Sequence, residues 1–300
     1  MYTIYNNSKK HSGNNTTLTR ISKLLNLNQS NEVKDNIIGI HAYKFGKEVV
    51  DKNLNYVLIL GGTDVNRDIE DEEKKEIIIK SVEQAKYVVA FNDLMKNKII
   101  QKTSINENKI RVIPQSIKKI KTSDFNLREK ISQKYNLENV NKIFIMVGNL
   151  RDEKDPFYLK DAFKKLYVKE KYILVIIGDI IDDNNYKFGN GIYHLDGMKK
   201  KDIFACMKQA DGLVNSSKSE GMAISILEAM IYKCPVYVRN NEDNNQIVKD
   251  NYTGFIYNNS KDFVKTINKD TQSVINNAFN YVKTKHNSIT EKYSYKSLLD

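Results

Sequence analysis

Short apolar runs rich in β-branched and aromatic side chains recur along the chain. Between them lie stretches in which apolar residues return every three or four positions. The first kind of run reads as a buried strand and the second as an amphipathic helix. In the first half the predicted strands are "MYTIY" (1–5), "NIIGIHA" (36–42), "YVLILGG" (56–62), "YVVAF" (87–91) and "IRVIP" (110–114). Helices are predicted over "TTLTRISKLLN", "DEEKKEIIIKSVEQA" and "NDLMKNKIIQK". A second series begins after a polar stretch: "KIFIMVG" (142–148), "YILVIIGD" (172–179), "GIYHLDG" (191–197), "DGLVNSS" (211–217), "PVYVRN" (235–240) and "TGFIY" (253–257). Here the helical patterns are "PFYLKDAFKKLY", "KKDIFACMKQA" and "AISILEAMIYK". Strand alternating with helix is the signature of parallel α/β units. Two such series predict an α/β protein of two doubly wound, Rossmann-like domains. The expected boundaries are 1–116 for the first domain, 117–140 for a linker in which "NLREKISQKYN" can form a helix, and 141–285 for the second. A C-terminal helix over 286–300 is expected to rejoin the first domain.

Length and composition leave this picture standing. Three hundred residues with 40% hydrophobic side chains can build two cores. No apolar run reaches the roughly 18 residues of a membrane-spanning helix, and "MYTIYNNSKK" lacks the apolar centre of a signal peptide, so a soluble cytoplasmic protein is expected. Cys206 and Cys234 lie far apart without paired ligand spacing, and read as small buried hydrophobes rather than a disulfide or zinc site. The net charge of +11 suits nucleic acid, an anionic membrane surface or an anionic substrate. Lysine and asparagine recur throughout, however, so the charge is a general bias. No aromatic-basic recognition pattern stands out, which disfavours nucleic acid.

In open parallel sheets, ligands bind beyond the carboxyl ends of the strands, where glycine turns and helix N-termini offer N–H groups. Four of the five prominent turns of this kind, "VGNLRDEKDP", "IGDIIDD", "LDGMKKKD" and "NSSKSEGM", fall in the second half; the fifth is "LGGTDVN". In the first of them, Arg151 and Lys154 follow a strand end, with Pro156 expected to open the next helix. An arginine fork and a lysine point charge there could clamp a diphosphate, or they could decorate a charged turn. In "SSKSEGMAISILEAM" (216–230), Ser219, Glu220 and Gly221 are expected to form a helix cap. Ala223, Ile226, Leu227 and Met230 then mark a buried stripe. Glu228 sits inside that apolar helix, where a carboxylate costs free energy unless it is paired. Its partner is either a structural cation or cap, or a ligand with vicinal hydroxyls.

The first half offers less. Asp64 in "GGTDVN" either caps the following helix or faces the cleft between domains, and His41 ends a strand, where a structural role is the default. In "HSGNNTT" (11–17), Asn14, Asn15 or Thr16 could cap a helix. His194 and His286 have no catalytic neighbours in sequence. No P-loop, serine elbow or metal-ligand pattern appears.

Taken in order, "VGNLRDEKDPFYLKDAF", "IIGD", "LDGMKKKDIFACMKQAD", "VNSSKSEGMAISILEAMIYKCPVYVRN" and "IVKDNYTGFIY" resemble the group-1 (family-four) retaining glycosyltransferases of the GT-B fold. "GIHAYKFGK", "LILGGTDVN", "SVEQAKYVVAFNDLMK" and "RVIPQSI" extend the resemblance to the glycosyltransferase 1 domain-containing protein 1 subgroup. The resemblance implies a cleft between two domains, a UDP- or GDP-linked sugar bound by the second, and an acceptor bound mainly by the first. It implies no metal and no cofactor beyond the nucleotide-sugar co-substrate. By position it assigns Arg151 and Lys154 to the leaving diphosphate, Glu220 to the donor sugar hydroxyls, and the backbone from Ser219 through Gly221, Met222 and Ala223 to the sugar and phosphates. Glu228 goes to the ribose, Gly178 and Gly197 to turns near the base, and Gly13 and Asn14 to a loop approaching the donor phosphates. His41, Gly62 and Asp64 fall on the acceptor side.

Three departures stand out. Asn149 replaces an arginine common in the family; Gly61 or Gly62 stands where a histidine is common, so that the cleft histidine is absent or replaced by His41; and the interval 26–35 is too short for the extra strand and helix that commonly follow the first helix. The acceptor class, whether glycan, small molecule, protein or lipid, stays open, as does peripheral contact with an anionic membrane. Rival readings are a sugar-nucleotide epimerase or hydrolase on the same fold, and a basic nucleic-acid-binding protein.

Overall fold

The structure, a computed structural model, describes residues 2–8 and 13–299. The chain opens with strand β1 (Thr3–Tyr5), helix α1 (Gly13–Leu25), β2 (Gln29–Ser30), β3 (Ile37–Ile40), α2 (Gly46–Val49), β4 (Tyr56–Ile59) and α3 (Gly62–Asn66). It continues with α4 (Glu72–Gln84), β5 (Tyr87–Ala90), α5 (Asp93–Lys102), β6 (Ile110–Val112), α6 (Leu127–Tyr135), β7 (Lys142–Val147), α7 (Lys160–Glu170), β8 (Tyr172–Ile177) and β9 (Ile192–Leu195). The remainder is α8 (Lys200–Gln209), β10 (Gly212–Asn215), α9 (Ile224–Ile231), β11 (Val236–Arg239), α10 (Glu242–Asn245), β12 (Phe255–Tyr257), α11 (Ser260–Thr266), α12 (Gln272–Lys285) and α13 (Ser288–Leu299).

Two compact units result. The first comprises Met1–Ser116, Glu220–Met222 and His286–Asp300, and the second Ile117–Ser219 and Ala223–Lys285. The stretch 117–140, expected as a linker, therefore groups with the second unit and carries α6.

The first unit is built on a six-stranded sheet in the order β2-β1-β3-β4-β5-β6, every pair parallel. Its strands are short apolar runs with both faces covered, as parallel sheets require: β3 and β4 are buried at every residue. Helix α4 turns Ile78 and Val82 inward, and its amino end is closed by Asp71, whose side chain accepts from Lys74 N–H. In the interval 26–35, expected to be too short for an extra strand and helix, the chain adds the two-residue β2 at the sheet edge without a helix after it. Asn14, Asn15 and Thr16 lie inside α1 rather than capping it, and His11 and Ser12 of the same loop are outside the described residues, as are Met1 of the first predicted strand and Asp300 of the predicted C-terminal helix.

The second unit has its own six-stranded parallel sheet, β12-β11-β10-β7-β8-β9. β7 and β8 pair over their full length, from Lys142 opposite Tyr172 to Val147 opposite Ile177. An aromatic core of Phe144, Phe163, Tyr237 and Phe263 fills one side, with Phe144 edge-on to each of the other three. Cys206 and Cys234 are free and buried. Burial pushes the Cys206 thiol up to about 12 and that of Cys234 higher, so both behave as hydrophobes.

Candidate functional site

In the second unit the strand order reverses between β7 and β10: β8 and β9 follow β7 on one side, and β10, β11 and β12 lie on the other. A doubly wound sheet binds ligands outside the carboxyl ends at such a switch point. After β7 the chain runs through Gly148 to Arg151 and a 3₁₀ turn, Asp152–Lys154, before the left-handed Asp155 (φ 43°) redirects it. Pro156 therefore lies in a turn, and the helix expected from it begins later, at Lys160. After β10 the chain runs through Ser216 to Ser219. The two loops are laced together. Lys218 N–H donates to Glu153 O at 2.8 Å, and the Ser216 hydroxyl reaches Lys154 O at 3.0 Å and Asp155 O at 2.7 Å. Lys218 Nζ also meets the Asp152 carboxylate at 2.9 Å.

Arg151 is held in this frame with 40% of its side chain exposed, its Nε 3.5 Å from Glu153 Oε2. A Cβ at Gly148 would fall 3.5 Å from Lys154 Cε, which places the lysine stem alongside the strand terminus. Next door, a Cβ on Gly178 would sit 2.2 Å from Gly148 O, so the ends of β7 and β8 approach too closely for any side chain. Gly197 N–H donates to Asp179 Oδ1 at 2.8 Å. Asn149 Oδ1 accepts from Asp179 N–H at 3.4 Å and so joins this turn.

Helix α9 starts at Ile224, with Ala223 at its N-cap and no side-chain cap. The expected cap by Ser219, Glu220 and Gly221 is thus corrected: the residues from Ser219 to Ala223 precede the helix in an irregular segment. Glu220–Met222 groups with the first unit, where Asn66 Nδ2 donates to Glu220 O (3.0 Å), Asn92 Nδ2 donates to Gly221 O (3.3 Å), and Met222 packs on the apolar core. Glu228 is 9% exposed and pairs with Lys200 Nζ at 2.8 Å. Of the two partners the sequence left open for it, a structural cation is present. Lys200 had no signal in the sequence, since it lies 28 residues away with no periodic relation to Glu228.

The first unit reverses strand order between β1 and β3. Gly13 opens α1 on the loop after β1, and His41 follows β3 in a left-handed conformation (φ 85°). Gly62 is the first residue of α3 and Asp64 its third. Asp64 is fully buried and accepts from Gly61 N–H and Ala42 N–H, both at 2.7 Å, so it caps its own helix and ties down the preceding strand's exit. Its other oxygen contacts His41 Nδ1, and His41 Nε2 faces Thr63 Oγ1 at 3.0 Å and Asp68 Oδ2 at 3.7 Å. Lys74 Nζ reaches Asp68 Oδ1 at 3.3 Å. Ligand atoms of His41, Asp64 and Asp68 lie within 4.8 Å of one another, a set that could hold a cation. As folded, the imidazole lies between the carboxylates, and backbone N–H groups and Lys74 complete the pairing. Asp68 escaped the sequence reading because it lies past the end of α3, in the short 3₁₀ turn Asp68–Glu70, where no helical periodicity links it to Asp64.

The sequence profile of the group 1 glycosyl transferases matches residues 127–288. A glycosyltransferase 1 domain-containing protein 1 from Xenopus tropicalis is 30% identical, over 97% of this chain and 95% of its own length. The chain belongs to the group 1 glycosyltransferases. A second relative of this glycosyltransferase, the UDP-Gal:alpha-D-GlcNAc-diphosphoundecaprenol alpha-1,3-galactosyltransferase of Escherichia coli, is 29% identical over 61% of the chain and 54% of its own length. Among solved structures, Anabaena HepE in complex with UDP-glucose superposes with a TM-score of 0.80 at 15% identity, covering 99% of this chain and 98% of that one. Staphylococcus aureus TarM gives 0.69 at 15% identity, over 95% and 59%. Both identities are low enough that the likeness shows fold alone, the two Rossmann-like sheets of GT-B enzymes. Among the described residues no helix is long and apolar enough to cross a membrane.

Proposed function

We propose that this glycosyltransferase uses a nucleotide-sugar donor, linked to UDP or GDP, and transfers the sugar with retention of anomeric configuration. The observation that carries the reading is the pair of laced loops at the β7/β10 switch point, which presents Arg151 and Lys154 where an anionic ligand of a doubly wound sheet belongs. Departure of a nucleoside diphosphate builds negative charge on oxygen while the anomeric carbon becomes cationic. Cations fixed before the reaction stabilise that state more than the ground state. Arg151 and Lys154 are the proposed clamp, so the scheme calls for no metal.

Glu220 is assigned to the donor sugar hydroxyls, the backbone from Ser219 to Ala223 to the sugar and phosphates, and Glu228 to the ribose. Gly178 and Gly197 border the base, and Gly13 and Asn14 the phosphates. The leaving phosphate serves as base toward the acceptor hydroxyl on the same face, which yields retention without a protein nucleophile. The first unit, with His41, Gly62 and Asp64, is proposed to serve the acceptor. The two free, buried thiols fit the reducing cytosol as the setting.

The names of relatives put UDP-linked sugars first in a thermal-shift panel, where a ligand at a hundred times its dissociation constant adds about 2.7 kcal/mol. Transfer by Arg151→Ala and Lys154→Ala then tests the clamp. A charged contact to phosphate is worth about 1.5–3 kcal/mol, so each variant should lose at least tenfold. Losses below tenfold in both, with folding intact, refute the assignment. A stoichiometric epimer or free sugar formed from donor alone would favour the epimerase or hydrolase instead.

A further inference from the structure

Helix α8 begins with three consecutive lysines, Lys199 at its N-cap and Lys200 and Lys201 in its first turn. The amino end of a helix carries positive partial charge, so cations there oppose the macrodipole, and only Asp202 offsets them. A sequence that breaks a local rule at one place is doing so for another reason. For Lys200 the structure supplies one: its ammonium lies 2.8 Å from Glu228 Oε1. The lysine side chain remains 53% exposed while that of the glutamate is only 12% exposed, so the pair sits at the rim of a buried carboxylate. One turn further along α8 and at the C-cap of α9, Phe204 and Tyr232 stack with ring centroids 4.7 Å apart and planes inclined by 24°. Tyr232 is fastened in turn, its hydroxyl donating to Ile120 O at 2.7 Å and accepting from Ile120 N–H at 2.9 Å. Two rungs, one ionic and one aromatic, thus hold α8 against α9.

We infer that Lys200 is a positioning residue for nucleotide recognition: by binding Oε1 it holds the Glu228 carboxylate oriented toward the vicinal diol of a ribonucleotide. The inference rests on the ribose role proposed for Glu228. Its chemistry is that of a shared carboxylate. Two oxygens offer about four acceptor directions, and one salt bridge leaves the others for two hydroxyl donors. Without the ammonium, the carboxylate loses the contact that fixes its rotamer. The effect must then show on ligands that carry the diol and vanish on those that lack it.

The experiment measures dissociation constants by calorimetry for UDP and GDP and for their 2′,3′-dideoxy counterparts, the series continuing with the base that binds more tightly. Wild type, Lys200→Met and Lys200→Arg are compared, with urea midpoints measured in parallel. Lys200→Met should weaken the ribonucleotide about tenfold, the scale of one hydrogen bond to a charged group, while the dideoxy form stays within about twofold. Lys200→Arg should restore the ribonucleotide. If both ligands weaken together, Lys200 acts through helix packing or general charge, and the inference fails. It fails equally if the ribonucleotide binds Lys200→Met more tightly, since the lysine would then compete with the ribose, or if the ratio does not change. A wild type that binds both forms alike removes the ribose role of Glu228 and the inference with it. A wild type that binds no nucleotide removes the donor reading itself.

Discussion

At the carboxyl end of the first sheet, charge is buried and answered from within; at that of the second, charge is half exposed. Asp64 and His41 are almost wholly buried and spend their hydrogen-bonding capacity on each other, on backbone N–H groups and on Thr63. Arg151, Lys200 and Arg239 stand 40%, 53% and 26% exposed, each beside a carboxylate that satisfies only part of a multivalent head. Both ends belong to the same kind of parallel sheet at a point of reversed strand order. What differs is whether the polar groups close on themselves. A closed set contributes to stability, whereas an open set retains donors for a ligand.

The largest break of this contrast is Asp64→Ala. It removes the partner of a buried imidazole and of two backbone donors at 2.7 Å. Each buried donor left without its acceptor costs about 1–3 kcal/mol, so a urea titration of the whole protein should show a loss of about 3 kcal/mol or more. A loss under about 1 kcal/mol would mean that the cluster is loosely packed and the contrast false. Next, Gly178→Ala asks whether the open end nevertheless rests on rigid backbone. The added methyl would meet Gly148 O at 2.2 Å, a clash with main chain that no rotamer relieves. Overpacking of this kind costs about 1–3 kcal/mol, and donor binding should weaken with it. A variant as stable as the parent would show that the strand ends slide freely.

Arg239→Ala is a smaller test at the same rim. Arg239 bonds Asp155 Oδ2 at 2.9 Å and lies 3.9 Å over the Tyr158 ring. With both partners partly solvated, the pair and the ring together should be worth about 1–2 kcal/mol. Because Asp155 holds the left-handed turn after Lys154, transfer should fall more than stability does. Equal losses would reduce Arg239 to a packing residue.

The architecture was legible because parallel strands, covered on both faces, are written as uninterrupted apolar runs: "YVLIL" and "YILVII" could hardly be anything else. β2 escaped since two residues, Gln29 and Ser30, carry no pattern. At the site, the sequence showed that Glu228 needed a partner but not which one, because α8 meets α9 through tertiary packing. Asp64 was readable as a cap from its place after a glycine turn. That it also holds His41 was not, since His41 lies on another strand exit, 23 residues earlier in the chain. The start of α9 was misplaced for a related reason: the chain between Ser219 and Ala223 answers to groups such as Asn66 and Asn92, remote in sequence.

The smallest effect contrasts two buried histidines of the first unit. His41 is flanked by carboxylates, whereas His286 is 3% exposed, with Nδ1 at 2.8 Å from Gln115 O and Glu291 nearby. Burial holds the His286 imidazole below its ordinary value of 6.5, outweighing the hydrogen bond and Glu291, both of which act in the opposite direction. The sign follows by linkage. Below pH 6.5 the unfolded chain takes up a proton that the folded chain refuses, so stability falls as pH drops below 6.5 and levels off beneath the folded value. For one proton between pH 7.5 and 6 the loss is below about 1 kcal/mol. His286→Asn keeps a donor for Gln115 O but cannot titrate, so the urea midpoint of that variant should vary less across this range than that of the parent. An unchanged slope would assign the acid sensitivity to groups other than His286.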